Sequence, residues 1–271
     1  MPELPEVETT VRGLEPALLG QRLVRVDVRR PDLRRAIPVD LRQRMTGARV
    51  TALWRRAKYG IIETDRGDAM VFHLGMSGRW RLDADEPGLH DHLVIATEGG
   101  RVLALNDPRR FGSLDLVESG KLAEWPPFAA LGPEPLGDVL SGAYLKAVFA
   151  GRVAPVKALL LDQRVVAGLG NIYVCEALNM ARIAPGRRAG RISLARLEVL
   201  ATSIRAVLVA AIEAGGSTIR DYARPDGQLG YFAKQWRVYG REGEPCPRAD
   251  GTVIRTVDSG RSTFWCPTCQ A

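Results

Sequence analysis

The spacing of apolar residues changes once along the chain, near residue 131, and this change limits the possible folds. Before it, short runs alternate apolar with polar residues or are rich in branched residues, and turns such as 65–67 and 98–100 separate them. Such runs are typical of antiparallel strands in a sandwich. An amphipathic helix is predicted ahead of them at 5–18, because apolar residues recur there at helical spacing. The predicted strands are 23–28, 49–54, 61–64, 70–73, 93–96, 102–105 and 113–117.

The second half of the chain is predicted to be mainly helical. Residues 131–137 are rich in glycine and proline, which end helices and strands, so we place a domain boundary there. Beyond it, an apolar stripe at helical spacing extends from a cap at Ser193 to Gly215. We therefore predict an α+β chain: an N-terminal β-sandwich domain with flanking helices at 1–130, a linker at 131–137, a helical domain at 138–235 and a β-hairpin at 236–271.

The chain is basic, with 38 lysine and arginine residues against 31 aspartate and glutamate residues and a formal net charge of +7. This balance favours a polyanionic partner, although charge alone leaves open an ordinary basic protein that binds no nucleic acid. The N-terminal residues are acidic and lack an apolar signal core, and no run reaches the roughly 18 apolar residues of a membrane span. We expect a cytoplasmic protein with no membrane partner.

The N-terminus offers a candidate nucleophile. Methionine before a small residue such as Pro2 is normally removed, which would leave a free secondary amine. An N-terminal amine has a pKa of about 7.7–8.0, so a useful fraction is nucleophilic at neutral pH. Its attack on a sugar C1′ would expel the base, leave an iminium and permit strand cleavage by elimination, with Glu3 or Glu6 moving the protons. Most chains that begin with Met-Pro do no such chemistry, so this feature alone is weak.

Three of the four cysteines, Cys246, Cys266 and Cys269, lie in the last part of the chain. In a reducing compartment this crowding favours a metal site over disulfides. Cys175 stands alone in an apolar helical pattern, where packing explains it.

Several motifs resemble those of the bacterial formamidopyrimidine-DNA glycosylase family. The opening Pro2-Glu-Leu-Pro-Glu-Val-Glu-Thr9 is similar to the signature with which that family begins. Leu4, where the related endonuclease VIII branch has glycine, points to the purine-directed branch. Further similar segments follow in the same order along the whole chain, at 55–59, 73–78, 107–112, 131–135, 168–173, 230–232, 238–240 and 260–264.

The resemblance implies a catalytic group of four residues. Pro2 would form the Schiff base, and Glu3 would be the acid that assists base loss and ring opening. Lys58 would donate a proton during β-elimination, and Arg261 would assist the final elimination at the sugar-phosphate. Apart from the resemblance, a lysine in a loop such as Lys58 is also explained as a phosphate clamp or a solvated surface charge.

A damaged base cannot be reached inside a duplex, so it must be rotated out and the gap filled. The resemblance implies that Met76, Arg109 and Phe111 do this. Methionine and phenylalanine are apolar wedges that replace lost stacking, and arginine offers planar donors to the orphaned base. Met76 and Phe111 are also explained as core residues, but the turns at 74–75 and 107–108 favour exposed loop tips.

Further DNA contacts are implied by the resemblance at His90, Arg109 and Arg152. Residues 168–173 are typical of a tight turn between two helices, and backbone N–H groups at the start of the second helix can hold a phosphate. In the family this is the helix-two-turn-helix element, in which Lys157 and Asn171 would contact the backbone around the lesion. His73 and His92 receive no role.

The cysteine tail departs from the family finger, which has two Cys-x2-Cys pairs joined by a hairpin. Cys246, Cys266 and Cys269 match, but residue 249 is alanine. Asp250 is the candidate fourth ligand, since zinc accepts a carboxylate oxygen. A site with three thiolates should bind zinc more weakly than one with four, and a hairpin that folds without metal stays an alternative. We expect one zinc ion and no redox or nucleotide cofactor.

Together these features predict a bifunctional base-excision repair enzyme that removes 8-oxoguanine and formamidopyrimidines from duplex DNA and nicks the abasic site by β- and δ-elimination. An oxidised-pyrimidine glycosylase of the endonuclease VIII branch stays an alternative, and the lesion choice is expected in the loop before residues 230–232. A damaged-DNA binding protein without catalysis is a further alternative, although it would have no chemical need for Pro2. We expect a monomer, because the DNA supplies the partner surface.

Overall fold

The computed structural model describes residues 2–84, 86–217, 232–258 and 260–271. The chain forms two compact units. The N-terminal unit comprises Met1–Ala129 with Ala214–Ala233, and the C-terminal unit comprises Ala130–Glu213 with Lys234–Ala271. The exact domain boundaries placed from the sequence stay a prediction. The loop before residues 230–232, in which the lesion choice is expected, lies outside the described residues.

The N-terminal unit contains two four-stranded antiparallel sheets, with strand orders β1-β6-β7-β5 and β2-β3-β4-β8. One apolar core draws on both sheets, and the rings of Phe72 and Trp80 meet there at 5.5 Å. This arrangement confirms the predicted α+β class with an antiparallel sandwich. The strands are β1 (Leu23–Val28), β2 (Val50–Arg56), β3 (Tyr59–Thr64), β4 (Asp68–His73), β5 (Arg79–Leu82), β6 (Asp91–Thr97), β7 (Val102–Asn106) and β8 (Ser113–Glu118).

Strand β5 was not predicted. It has only four residues, and two of them are arginines, so the alternation is too short to stand out in the sequence. Its Trp80 is nonetheless fully buried and fills the space between the sheets. A strand this short takes its conformation from its antiparallel partner β7.

The predicted helix at the N-terminus is α1 (Leu4–Leu18), which begins with Pro5 in its first turn. Its apolar stripe, Val7, Val11, Leu14 and Leu18, joins the core of the sandwich. The chain leaves the helix through Gly20, whose φ of +74° suits glycine. The described part of the unit also contains two short α-helices, α2 (Leu41–Met45) and α3 (Pro126–Ala129), and a 3-10 helix at Ser119–Glu124.

The C-terminal unit contains four helices and a two-stranded hairpin. The long helix α7 begins directly after Ser193, the predicted cap, and buries the predicted apolar stripe. No helix in the described part of the chain is both long and apolar enough to cross a membrane. The elements are α4 (Gly142–Phe149), α5 (Val156–Leu161), α6 (Asn171–Met180), α7 (Leu194–Glu213), β9 (Ile254–Asp258) and β10 (Arg261–Trp265).

Candidate active site and metal centre

The predicted nucleophile and acid lie at the start of α1. Pro2 and Glu3 are both buried, and the backbone N–H of Glu3 donates to Oε2 of Glu6 at 2.8 Å. Glu6 is the third residue of the helix, where the helix dipole and unpaired N–H groups favour a negative charge. Its other oxygen, Oε1, accepts the backbone N–H of Ser217 at 2.8 Å. Glu6 therefore fixes the backbone next to Pro2 and joins it to a distant segment of the same unit.

Gly216 makes this junction possible. Its φ is +82°, and a Cβ at this position would lie 3.4 Å from Cγ and from Oε1 of Glu6. That distance is an ordinary contact, so the need for glycine comes from the positive φ. The glycine gives the backbone the conformation in which the next residue, Ser217, donates to Glu6.

Lys58 lies in the two-residue turn between β2 and β3, next to Ala57, which has a φ of +52°. Only 7% of Lys58 is exposed, which argues against a solvated surface charge. Arg55 fixes the turn, because it donates to the carbonyl of Ala57 and to Glu8 of α1, both at 2.9 Å. The turn that carries Lys58 is thus attached to the helix that begins at Glu3.

His73, which has no role in the sequence-based prediction, lies near the same basic side chains as Lys58. Burial lowers its pKa to about 4, and the charges of Lys58, Arg34 and Arg35 act in the same direction. Its Nδ1 accepts the backbone N–H of Gly75 at 3.0 Å, so the neutral imidazole shapes the start of the next loop. The only signal for it in the sequence was its position at the head of the 73–78 motif.

The three predicted wedge residues lie on two loops that are held together. Met76 is 37% exposed and Phe111 is 43% exposed, so neither is a core residue. The guanidinium of Arg109 lies 5.2 Å from the centre of the Phe111 ring. A Cβ on Gly75 would come within 2.2 Å of the Phe111 backbone, so this position of the loop requires glycine.

Asp107 joins the two loops through hydrogen bonds. Its two carboxylate oxygens accept the hydroxyl of Ser77 at 2.7 Å and the backbone N–H of Gly112 at 2.8 Å. Its own N–H donates to the carbonyl of His90, and its carbonyl bonds with Nε2 of the buried His92 at 2.9 Å. The exposed His90 is therefore anchored to the same loop as Arg109, and His92 has a structural explanation.

In the C-terminal unit, two predicted DNA contacts converge on the hairpin. Lys157 of α5 is 3% exposed, and its Nζ donates to Oγ1 of Thr263 at 2.5 Å and to the carbonyl of Ser262 at 3.4 Å. Asn171, the first residue of α6, donates to the same carbonyl at 2.8 Å. Its Oδ1 is buried and has no hydrogen-bond partner among the described residues.

The hairpin itself carries Arg261, which is exposed and pairs in register with Asp258. A cavity of about 370 Å³ lies beside it and is lined by Lys157, Asp162, Asp258 and Arg261, with apolar walls from α5. Arg152, in contrast, is exposed in the turn after α4 and does not line this cavity.

Gln163 is a residue that the sequence analysis missed. Its Nε2 donates to the carbonyls of Leu161 and Leu169, and its Oε1 accepts the N–H of Gly168 at 2.9 Å. One side chain thus holds both ends of the turn between α5 and α6. Gly168 has a φ of +82°, in agreement with the need for glycine in this turn.

Four candidate metal ligands are grouped in the last part of the chain. Ligand atoms of Cys246, Asp250, Cys266 and Cys269 all lie within 4.8 Å of one another. The Sγ atoms of Cys246 and Cys269 are 3.7 Å apart, and Sγ of Cys266 lies 3.8 Å from Oδ1 of Asp250. These separations fit the edges of a tetrahedron with zinc–sulfur bonds of about 2.3 Å. Asp250 thus lies where a fourth ligand is required and where Ala249 offers none.

The groups around these ligands support a metal-bound thiolate. Arg248 and Asn179 direct N–H groups at Sγ of Cys269, at 3.7 and 3.9 Å. Such donors orient a ligating sulfur and lower its negative charge. Glu176 of α6 holds the segment ahead of the finger, because its carboxylate accepts the N–H groups of three consecutive residues, 237–239, at 2.8 to 3.0 Å.

The buried Pro2 and Glu3, the exposed apolar loop tips and the grouped metal ligands, in a chain with a net charge of +7, are together typical of an enzyme that acts on nucleic acid. Three family descriptions match the chain: "Formamidopyrimidine-DNA glycosylase N-terminal domain" at 1–114, "Formamidopyrimidine-DNA glycosylase H2TH domain" at 131–223 and "Zinc finger found in FPG and IleRS" at 243–271. The chain belongs to the formamidopyrimidine-DNA glycosylase family.

Named relatives agree with this assignment over their whole length. The formamidopyrimidine-DNA glycosylases of Rhizorhabdus wittichii and Novosphingobium aromaticivorans are 72% and 67% identical, each with 100% of both chains covered. The solved MutM (Fpg) protein of Thermus thermophilus is 43% identical, with a TM-score of 0.89 and 99% and 98% of the two chains covered. Lactococcus lactis Fpg, solved with DNA containing an abasic site, is 33% identical, with a TM-score of 0.92 and 99% of both chains covered.

These similarities confirm the family, the enzyme class and the DNA partner predicted from the motifs. The finger match, together with the four grouped ligands, also confirms the expectation of one zinc ion. The individual catalytic and DNA-binding roles stay predictions.

Proposed function

We propose that the chain excises oxidised purines, 8-oxoguanine and formamidopyrimidines, from duplex DNA and then cleaves the strand at the abasic site. The observation that carries this proposal is the buried Pro2 and Glu3 at the start of α1, held in place by Glu6. A point mutant of Lactococcus lactis Fpg, a structural relative, has been solved with DNA containing Fapy-dG, which is a ring-opened purine. We place this activity at the chromosomal DNA in the bacterial cytoplasm.

The chemistry begins when the amine of Pro2, freed by removal of Met1, attacks C1′ of the damaged nucleotide. The bond from C1′ to the base breaks, and Glu3 supplies the proton that the sugar ring or the departing base requires. The resulting iminium acidifies C2′, so loss of its proton expels the 3′ phosphate in β-elimination. Lys58 donates a proton in this step. Arg261 assists the δ-elimination that expels the 5′ phosphate, and water then releases the sugar fragment from Pro2.

Substrate binding requires the base to leave the duplex. Met76 and Phe111 are exposed on adjoining loops and would occupy the gap, while the guanidinium of Arg109 would pair with the orphaned base. His90, Arg152, Lys157 and Asn171 would bind the phosphate backbone, which positions the protein without reading the sequence.

The finger would hold zinc through Cys246, Cys266, Cys269 and Asp250. A fully coordinated zinc of this kind supplies folding free energy rather than catalysis. By holding the metal, these four residues would fix the hairpin that carries Arg261.

Borohydride trapping tests the proposal. The purified protein, with Met1 shown by mass to be absent, is mixed with a duplex containing 8-oxoguanine and reduced, and we expect a covalent adduct that maps to Pro2. A matched variant with one additional residue ahead of Pro2 turns the amine into an amide and should form no adduct. Pro2→Gly should also nick more slowly, and full nicking by Pro2→Gly would contradict the mechanism.

Two other outcomes separate the alternatives. Tight binding of the damaged duplex without any adduct would indicate a binding protein rather than an enzyme. Faster trapping on a duplex with an oxidised pyrimidine than on one with 8-oxoguanine would assign the chain to the endonuclease VIII type of activity.

A further inference from the structure

We propose that Asp258 and Thr263 are positioning residues for the strand-cleavage step, because they form a hydrogen-bonded relay to Lys157 that fixes the hairpin carrying Arg261. This inference rests on the proposed function and assigns a role to two residues that the family motifs leave without one.

The direction of each hydrogen bond in the relay is determined by chemistry. A lysine ammonium can only donate and an ionised aspartate can only accept, whereas a threonine hydroxyl does both. Lys157 Nζ donates to Oγ1 of Thr263 at 2.5 Å, so the hydroxyl proton is free to point to the acceptor on its other side. That acceptor is Oδ2 of Asp258, which accepts the Thr263 hydroxyl.

The hairpin register places all of these groups beside Arg261. In β9 and β10, Asp258 pairs with Arg261 and Thr256 pairs with Thr263. Residues opposite each other and residues two apart share one face of a sheet, so Asp258, Arg261 and Thr263 project from the same face. The carbonyl of Ser262, between Arg261 and Thr263, is held in addition by Lys157 and Asn171. Hydrogen bonds from Lys157 and Asn171 therefore hold β10 at the two residues that follow Arg261, Ser262 and Thr263.

Charge explains why the carboxylate is needed. Burial lowers the pKa of Lys157, and the nearby charge of Arg261 lowers it further, while Asp258 and Cys175 oppose this effect. Asp162, at the end of α5, lines the same cavity. Without Asp258, the cations Lys157 and Arg261 would line the same cavity with one carboxylate fewer, and their mutual repulsion would disfavour the hairpin position that brings them together.

The relay leaves Lys157 able to bind a ligand. Of its three N–H donors, two are taken by Thr263 and Ser262 in the described part of the chain. The third is available to an oxygen atom in the cavity that Lys157, Asp258 and Arg261 line together. The relay thus leaves one donor of Lys157 available in the cavity that Arg261 also lines.

The test compares product distributions on a duplex with a preformed abasic site, which separates elimination from base removal. We expect Asp258→Ala to lower the ratio of δ- to β-elimination products by about tenfold, the effect of losing one hydrogen bond to a charged group, while the rate of β-elimination changes little. Asp258→Asn keeps an acceptor for Thr263 but not the charge, so its ratio should lie between those of Asp258→Ala and the unchanged protein.

Val257→Ala is the matched control. Val257 precedes Asp258 on β9, is exposed and projects from the opposite face, so its loss should leave the ratio unchanged. Zinc content and thermal unfolding of each variant establish that the finger is folded. A folded, zinc-containing Asp258→Ala protein with an unchanged product ratio would overturn the relay. Failure of the proposed function is distinguishable, because the unchanged protein would then not nick the duplex at all.

Discussion

Each unit uses a buried glutamate on a helix to hold a backbone segment that is far away in sequence. In the N-terminal unit, Glu6 of α1 accepts the N–H groups of Glu3 and Ser217. In the C-terminal unit, Glu176 of α6 accepts those of Arg237, Val238 and Tyr239. The two carboxylates solve the same problem, which is to satisfy buried N–H groups outside regular structure.

Their surroundings differ, and so do their consequences. Glu6 lies in the first turn of its helix, where the helix dipole stabilises a negative charge. Glu176 lies near the middle of α6 without that support, and burial raises its pKa while the three N–H groups oppose the rise. Glu6 therefore holds the backbone beside Pro2, whereas Glu176 holds the segment ahead of the finger.

The largest effect is expected at the residue that Glu6 holds. Glu3→Gln keeps the shape of the side chain but cannot donate or accept the reaction proton, so excision of 8-oxoguanine should slow by about 100- to 10,000-fold. Nicking of a preformed abasic site should slow much less, because it needs no base removal. Single-turnover assays on the two substrates measure the rates of excision and of nicking. An equal loss of rate on both substrates would mean that Glu3 acts in elimination as well.

The comparison itself is tested by the matched pair Glu176→Gln and Glu6→Gln. In Glu176→Gln an amide donor faces backbone donors, so the free energy of unfolding should fall by about 3 kcal/mol. Zinc content should fall with it, because the segment ahead of the finger is released. Glu6→Gln should also lower the free energy of unfolding, because an amide donor would again face backbone N–H groups, but it should leave zinc content intact while slowing excision. Denaturant unfolding measures the stability of each variant, and metal analysis measures its zinc content. Zinc loss in Glu6→Gln would contradict the different roles assigned to the two glutamates.

A pH effect of intermediate size should belong to the N-terminal unit. Because the pKa of His73 is lowered to about 4, its neutral form contributes stability above the unfolded pKa of about 6.5, and this contribution is lost as pH falls toward 4. We expect about 2 kcal/mol of stability to be lost from this group between pH 7 and pH 5. His73→Asn retains an acceptor for Gly75 but does not titrate. Unfolding curves at both pH values should therefore differ less for the variant.

The smallest effect concerns the finger alone. Ala249→Cys would supply the missing fourth thiolate, and we expect it to hold zinc about tenfold more tightly than the unchanged protein in competition with a chelator. Ala249 already has a φ of +55°, so the change from one side chain to another adds no new backbone strain. Ala249→Ser is the control of similar size. Equal zinc retention in all three proteins would show that Asp250 is as effective a ligand as a thiolate.

Much of this arrangement could be predicted from local patterns. The helix at the N-terminus, most strands and the apolar stripe of α7 follow from spacing between near neighbours. The motifs likewise indicate functional roles for Pro2, Glu3 and the cysteines. Strand β5, the role of Gln163 in holding the predicted turn and the basic neighbours of His73 were missed, because their patterns are short or depend on contacts from other elements.

Periodicity and motifs depend on residues that are close together along the chain. They were therefore enough to predict most helices and strands, the family and the residue types available for chemistry. The pairing of these groups, in contrast, follows from the folded structure. Ser217 meets Glu6 from 211 positions away, and Thr263 meets Lys157 from 106. Such pairings are set by the packing of whole elements, and packing also decides that Lys58 and Lys157 are buried although most lysines are exposed.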